Sequence, residues 1–112
     1  FKTLVTVGKS GTHYVFMVPV EKELDLKKAA KNAQEKSIEM IKSKELLPLT
    51  GYIHGGCSPI GMKKQFKTFI DTTALNFENI YFSGGKIGLQ IELSLENLQR
   101  IVPIITADIT VQ

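Results

Sequence analysis

Between Gly51 and Gly61 the chain runs Gly-Tyr-Ile-His-Gly-Gly-Cys-Ser-Pro-Ile-Gly, four glycines and a proline in eleven residues. Neither a helix nor a strand tolerates that composition, because interior glycine costs backbone entropy and proline removes a hydrogen-bond donor. The segment must be a loop whose backbone takes unusual dihedrals or approaches something closely. It lies in a chain of 112 residues, long enough to bury roughly 65% of its unfolded surface without metal or disulfide staples. A single cysteine excludes a disulfide scaffold, and 43% hydrophobic residues exclude a disordered tail. No apolar run approaches the roughly 20 residues of a membrane span.

Around this loop, short β-rich runs alternate with turn signals. Thr3 to Val7 alternates, Gly8-Lys9-Ser10-Gly11 is a turn, and His13 to Val20 is a second apolar run, which predicts a hairpin. Asp25 is positioned to cap a helix over Leu26 to Gln34, with Leu26, Ala29, Ala30 and Ala33 on one face and Lys27, Lys28 and Lys31 toward water. Ser37 to Ile41 reads as a short strand. Lys42 to Leu47 reads as one or two helical turns stopped by Pro48.

Beyond the loop, Lys67 to Asp71 and Asn79 to Ser83 read as strands, and Gly84 to Gly88 turns into a half-buried strand over Leu89 to Leu93. Ser94 caps a helix over Leu95 to Val102, Pro103 ends it, and Ile104 to Val111 closes the chain as a β-rich run. Residues 1–112 are therefore expected to form a single α+β domain. Its sheet is expected to be mixed, largely antiparallel and curled into a barrel-like core with flanking helices.

Fourteen basic residues face eleven acidic ones, for a net charge of +3, and all the basic residues except Arg100 are lysine. Lysine is a mobile point charge suited to phosphate, whereas reading base edges usually takes arginine. Leu46 to Ile70 contains no carboxylate but holds Lys63, Lys64 and Lys67, and Phe1 to Val20 holds Lys2 and Lys9 with none. A basic face and ordinary solvated lysines both satisfy this pattern. The chain opens on Phe1 with no initiator Met and no signal-peptide pattern, which suggests a piece of a larger product. A lone thiol fits a reducing compartment, and the expected location is the cytoplasm.

The glycine loop fails the nucleotide motifs. In the frame Gly56 to Lys63, Met62 stands where a Walker lysine belongs, and no G-x-G-x-x-G joins a strand to a helix. Consecutive glycines can still present N–H groups to a phosphate or an oxyanion, or can simply make a tight connection. Cys57 and His54 could suggest a thiol nucleophile, yet a spacing of three within a loop fixes no geometry, and Cys57 reads instead as a small loop residue. One Cys, two distant His and scattered carboxylates make no recognisable zinc set, so neither metal nor cofactor is expected. Lys2, in a β-rich strand, is either an exposed edge residue or a cation placed to meet an anion. Ser83 before Gly84-Gly85 reads at least as turn chemistry.

Four segments in order and spacing carry a resemblance: Phe1 to Leu4, Gly51 to Gly61, Tyr81 to Lys86, and Gly88 to Leu93. Together they resemble the YbaK/EbsC family of aminoacyl-tRNA deacylases, related to the editing domain of prolyl-tRNA synthetase. Leu24 to Lys28 and Ala107 to Ile109 extend the match over nearly the whole chain. The resemblance implies a trans-editing enzyme that hydrolyses the ester of misacylated tRNA at the acceptor 3′ end, typically Cys-tRNA(Pro). Prolyl-tRNA synthetase is the implied partner.

By that resemblance Lys2 holds a phosphate or ribose oxygen, Gly55 presents backbone to the scissile carbonyl, and Ser83 orients the aminoacyl group or the terminal ribose. Gly56, Ser58, Gly84, Gly85, Lys86 and Gln90 are the implied substrate-binding residues. The nucleophile would come from the substrate or from water, and Cys57 would be a bystander. Many relatives carry Asp where this chain has Gln90, and the family normally places a helix and a strand before the lysine strand, which this chain is expected to lack. A non-catalytic tRNA-binding or synthetase-associated module with the same fold is the alternative.

Overall fold

The computed structural model describes residues 1–112. Its centre is the run His-Tyr-Val-Phe-Met-Val, which forms β2 (His13–Val18), with every residue after His13 buried. A strand buried on both faces needs cover on both sides. β2 pairs antiparallel with β1 (Lys2–Gly8), through the expected hairpin, and parallel with β4 (Lys67–Asp71). β3 (Ile38–Met40) adds antiparallel to β1, and β7 (Ile104–Ala107) adds parallel to β4. The resulting five-stranded mixed sheet has the order β3-β1-β2-β4-β7. β5 (Ile80–Ser83) and β6 (Gln90–Leu93) form a separate antiparallel hairpin.

Alternation along β2 sorts the core into two sides. Tyr14, Phe16 and Val18 pack with Ala29, Ala30 and Ala33 of α1 (Leu26–Ala33). On the opposite side, Met17 packs with Phe82 of β5 and with Leu95 and Leu98 of α3 (Leu95–Ile101), while Val15 packs with Val5, Leu46 and Cys57. Burying a Phe16- or Met17-sized side chain contributes about 2 to 3 kcal/mol.

The α+β class and mixed sheet match the expectation, but the barrel does not appear as a closed sheet. β3 and β7 are free edges, and β5-β6 is not hydrogen-bonded into the larger sheet. The balance is also less antiparallel than expected, because β4 and β7 both run parallel to their neighbours.

Local chemistry explains the helix boundaries. Asp25 Oδ1 accepts from the N–H groups of Lys27 and Lys28 at 3.0 and 3.1 Å, as expected of an N-cap. Leu26, expected on the core face, is instead exposed, so the alanines alone seat α1 on the sheet. Lys28, expected to face water, is half-buried. Its Nζ donates to both Asp108 oxygens and to the Thr110 carbonyl, tying α1 to the chain after β7.

The second helix, α2, covers Ser43–Thr50 and runs through Pro48 instead of stopping before it. Pro48 removes only the hydrogen bond to the Lys44 carbonyl, and both residues are exposed, so water can satisfy the freed oxygen. At the far end, the Thr50 hydroxyl donates to Leu46 O at 2.8 Å and Gly51 N–H to Leu47 O at 2.8 Å. A 3₁₀ turn over Thr72–Asn76 was not expected from the sequence.

That turn starts from Asp71, which is 1% exposed at the end of β4. Burial alone would raise its pKa, but donation from the Thr73 hydroxyl and N–H and from Ile109 N–H outweighs burial and lowers it. A carboxylate whose pKa is depressed on folding stabilises the fold above its unfolded value of about 3.9 and loses that contribution as pH falls through the folded value. Asp71→Asn is therefore expected to cost about 2 kcal/mol at pH 7. In denaturant melts the difference from the native protein should vanish at the acid end, and equal midpoints at pH 7 would refute the assignment.

Candidate active site

The site begins where β1 loses a partner. β3 pairs only with Thr6, Val7 and Gly8 of β1. Ile41 N–H reaches Val5 O at 3.4 Å and the chain then leaves the sheet, so the edge of β1 from Lys2 to Leu4 has no strand beside it. A cavity of about 620 Å³ opens along that edge. Its second wall is the entry to α2, with Lys42 and Ser43. The glycine loop supplies His54, Gly55 and Cys57, and the β5-β6 hairpin supplies Ser83 and Gln90.

Each wall has a local cause. Ser83 and Gln90 are directly opposed at the turn end of β5-β6, so one register brings both to the cavity. The turn between them is closed by Gly84 N–H on Leu89 O at 2.8 Å and Gly85 N–H on Ser83 Oγ at 3.3 Å. The glycine loop is held by Tyr52, whose hydroxyl donates to the Ile60 carbonyl, and by Ile60 N–H on Ser58 Oγ at 3.2 Å.

The two loops touch main chain to main chain at Gly56. A β-carbon there would sit 3.3 Å from Lys86 Cα, Lys86 C and Ile87 N. Because no flexible side chain intervenes to yield, residue 56 sets how closely the loops approach. The turn before it, Gly56 N–H on Ile53 O at 3.0 Å, leaves Gly55 at φ 85°, a left-handed conformation that favours glycine.

Of the residues singled out in the sequence, the cavity gathers Lys2, Gly55, Ser83 and Gln90, together with His54 and Cys57. Gly56, Ser58, Gly84, Gly85 and Lys86 lie outside its lining. Ser58 is buried in the loop's own hydrogen bonding, and Gly56 and Lys86 form the contact between the loops. Thr3, Lys42 and Ser43 line the cavity without having been singled out. Thr3 comes with β1 itself, whereas only the β1-β3 pairing brings Lys42 and Ser43 there, and Glu39 and Glu45 flank Lys42 in sequence, masking it as a cationic site.

Chemically the cavity is two-ended. Val5, Leu46 and Cys57 line it and belong to one apolar cluster, giving it a hydrophobic floor. The remaining lining includes two lysines and no Asp or Glu. Lys2 Nζ lies 4.0 Å from Glu23 Oε1, a carboxylate that is 84% exposed and offers little competition for an incoming anion. No three His, Cys, Asp or Glu side chains gather as a metal-binding group. The lining suits a ligand with an anionic end and a small apolar end.

Comparison with known proteins agrees with that chemistry. Residues 1–101 match the model of the aminoacyl-tRNA editing domain. The chain is 53% identical over 96 residues to an Enterococcus faecalis protein provisionally named Cys-tRNA(Pro)/Cys-tRNA(Cys) deacylase EbsC. The match covers 86% of this chain and spans 58% of the relative's length. A crystal structure described as a candidate trans-editing enzyme for prolyl-tRNA synthetase superposes with a TM-score of 0.89 at 26% identity, covering 99% of this chain and 69% of the other. A hypothetical protein of 24% identity shares the fold, with a TM-score of 0.89 over 98% of this chain and 73% of its own. The chain belongs to the aminoacyl-tRNA editing domain family, as the four sequence segments implied.

Burial pushes the Cys57 thiol up to about 11. At neutral pH it is a packed side chain with almost no thiolate. Alkylation of the folded protein by iodoacetamide at pH 7.5 is expected to run at least about 100-fold slower than for a free thiol and to accelerate on unfolding. Equal rates in the two states would make Cys57 an available nucleophile.

Proposed function

We propose that the protein is an aminoacyl-tRNA deacylase that removes a wrongly attached amino acid from the 3′ end of tRNA, with Cys-tRNA(Pro) as its substrate. The observation that carries this reading is the meeting of Lys2, Gly55 and Ser83, from three separate elements, around one carboxylate-free cavity. The names of the Enterococcus relative and of the trans-editing neighbour support the substrate class and a link to prolyl-tRNA synthetase. Such an enzyme works in the cytoplasm, where tRNA is charged.

In this mechanism the aminoacyl side chain rests on the Val5, Leu46 and Cys57 floor and the ribose-phosphate end lies toward Lys2. Hydrolysis of the ester passes through a tetrahedral intermediate with negative charge on the former carbonyl oxygen. The Gly55 N–H has no acceptor within the chain and is free to meet that charge. A preorganised donor of this kind contributes about 3 to 4 kcal/mol. Ser83 keeps its hydroxyl proton available while Oγ accepts from Gly85 N–H, so it can still donate to the ribose or the aminoacyl group. By the family resemblance the attack comes from the substrate's own thiol, a ribose hydroxyl or water, and the buried Cys57 thiol is no competitor for it.

The alternative, a non-catalytic tRNA-binding or synthetase-associated module, is favoured by the engagement of Ser83 in its own turn and by an amide, Gln90, opposite it. One assay separates the two. The protein is expected to deacylate Cys-tRNA(Pro) in preference to Pro-tRNA(Pro), with Lys2→Ala lowering kcat/KM by about 100-fold and Cys57→Ala changing it little. Absence of cleavage of Cys-, Ala- and Pro-tRNA(Pro), with tRNA still bound, would establish the binding module. Binding should weaken as salt rises, because phosphate contacts release counterions. Salt-independent binding would contradict a phosphate-led interface.

A further inference from the structure

Lys2 accounts for one of the cavity's two lysines. The other, Lys42, stands at the opposite end of the unpaired β1 edge. The antiparallel register that pairs Thr6 with Met40 carries residue 42 to the level of Leu4, and there the chain turns into α2.

Its backbone is pinned at both ends of the peptide unit. Lys42 N–H donates to Glu45 Oε1 at 3.1 Å, and Glu45 N–H donates to Lys42 O at 2.9 Å. Glu45 is thereby occupied with the main chain, and Lys42 Nζ has no carboxylate within 4.0 Å, whereas Lys2 has Glu23. The main chain is therefore fixed while the ammonium is unpaired, beside a cavity without a single carboxylate in its lining. An ammonium so placed favours an anion and has no structural ion pair to explain it.

We propose that Lys42 is a substrate-binding residue that holds the phosphodiester preceding the terminal adenosine, so that Lys2 and Lys42 grip the single-stranded 3′ end from the two ends of the β1 edge. This assignment rests on the deacylase reading and adds to it a residue that sets substrate affinity. Because Lys42 caps α2 through its main chain, the side chain can be removed without removing the cap.

The test compares two esters in the same protein: a 3′-cysteinylated CCA trinucleotide, which carries the phosphodiester, and 3′-cysteinyl-adenosine, which carries none. For Lys42→Ala the ratio of kcat/KM for the trinucleotide to that for the adenosine ester is expected to fall about tenfold, mainly through KM, and Lys42→Arg to restore most of it. The slope of log binding constant against log salt for a CCA-ended RNA hairpin carrying no amino acid should flatten by about 0.7, the release expected from one single-strand phosphate. An unchanged ratio and an unchanged slope, in a variant with native thermal stability, would overturn the inference. If the native protein cleaves neither ester, the deacylase reading has failed and the hairpin slope alone decides Lys42. No binding of the hairpin by the native protein would overturn both.

Discussion

Burial of β2 on both faces is the constraint from which the rest of the structure follows. Tyr14, Phe16 and Val18 demand a cover on one side and Val15 and Met17 on the other, and every core cluster is anchored on one of these residues. A single short helix with an alanine face suffices for the first side, because alanine lets α1 lie close to the sheet. The second side is wider and irregular. It is shared by the β5-β6 hairpin, α3, the glycine loop and α2, and the space these pieces leave along the free edge of β1 is the cavity. The site is thus a consequence of incomplete cover over one face of a fully buried strand.

That origin explains the chemistry available there. Residues contributed by strand ends and loops reach the cavity with their backbone groups, while the packed cluster beneath supplies a floor of small and aliphatic side chains. The cavity's lysine side chains are Lys2 and Lys42, set at the two ends of the strand edge. Negative charge, whether resident on phosphate or developing on an ester oxygen, is the species such a lining stabilises. Under the proposed deacylase reading, ester cleavage with a nucleophile drawn from the substrate asks for little more, and the chain carries no recognisable Ser-His-Asp signature.

Much of the local structure was legible in the residues themselves. Asp25 and Ser94 announced their helices because a short polar side chain satisfies the first free N–H groups. Strand β4 could be read from its apolar run, and the hairpin from Gly8 to Gly11. Proline misled at residue 48, since the cost of a missing donor depends on whether its orphaned carbonyl meets water, and that is a property of the packed helix. Leu26 and Lys28 likewise exchanged their expected surroundings because the segment after β7 lies beside α1, a long-range contact that helical periodicity cannot encode.

By itself, then, the sequence determined which segments are strands, where helices begin, that Gly51 to Gly61 is a loop, and, through its spaced motifs, the family and four of the residues around the cavity, Lys2, Gly55, Ser83 and Gln90. Tertiary structure alone decided that β2 and β4 run parallel, that the sheet stays open, and that Lys42, Ser43 and Thr3 join Lys2 around one space. The reason is physical. Capping, turns and alternation act over a few residues and are written locally, whereas a cavity is the space left between elements that pack for other reasons, and its lining depends on where strand pairing stops.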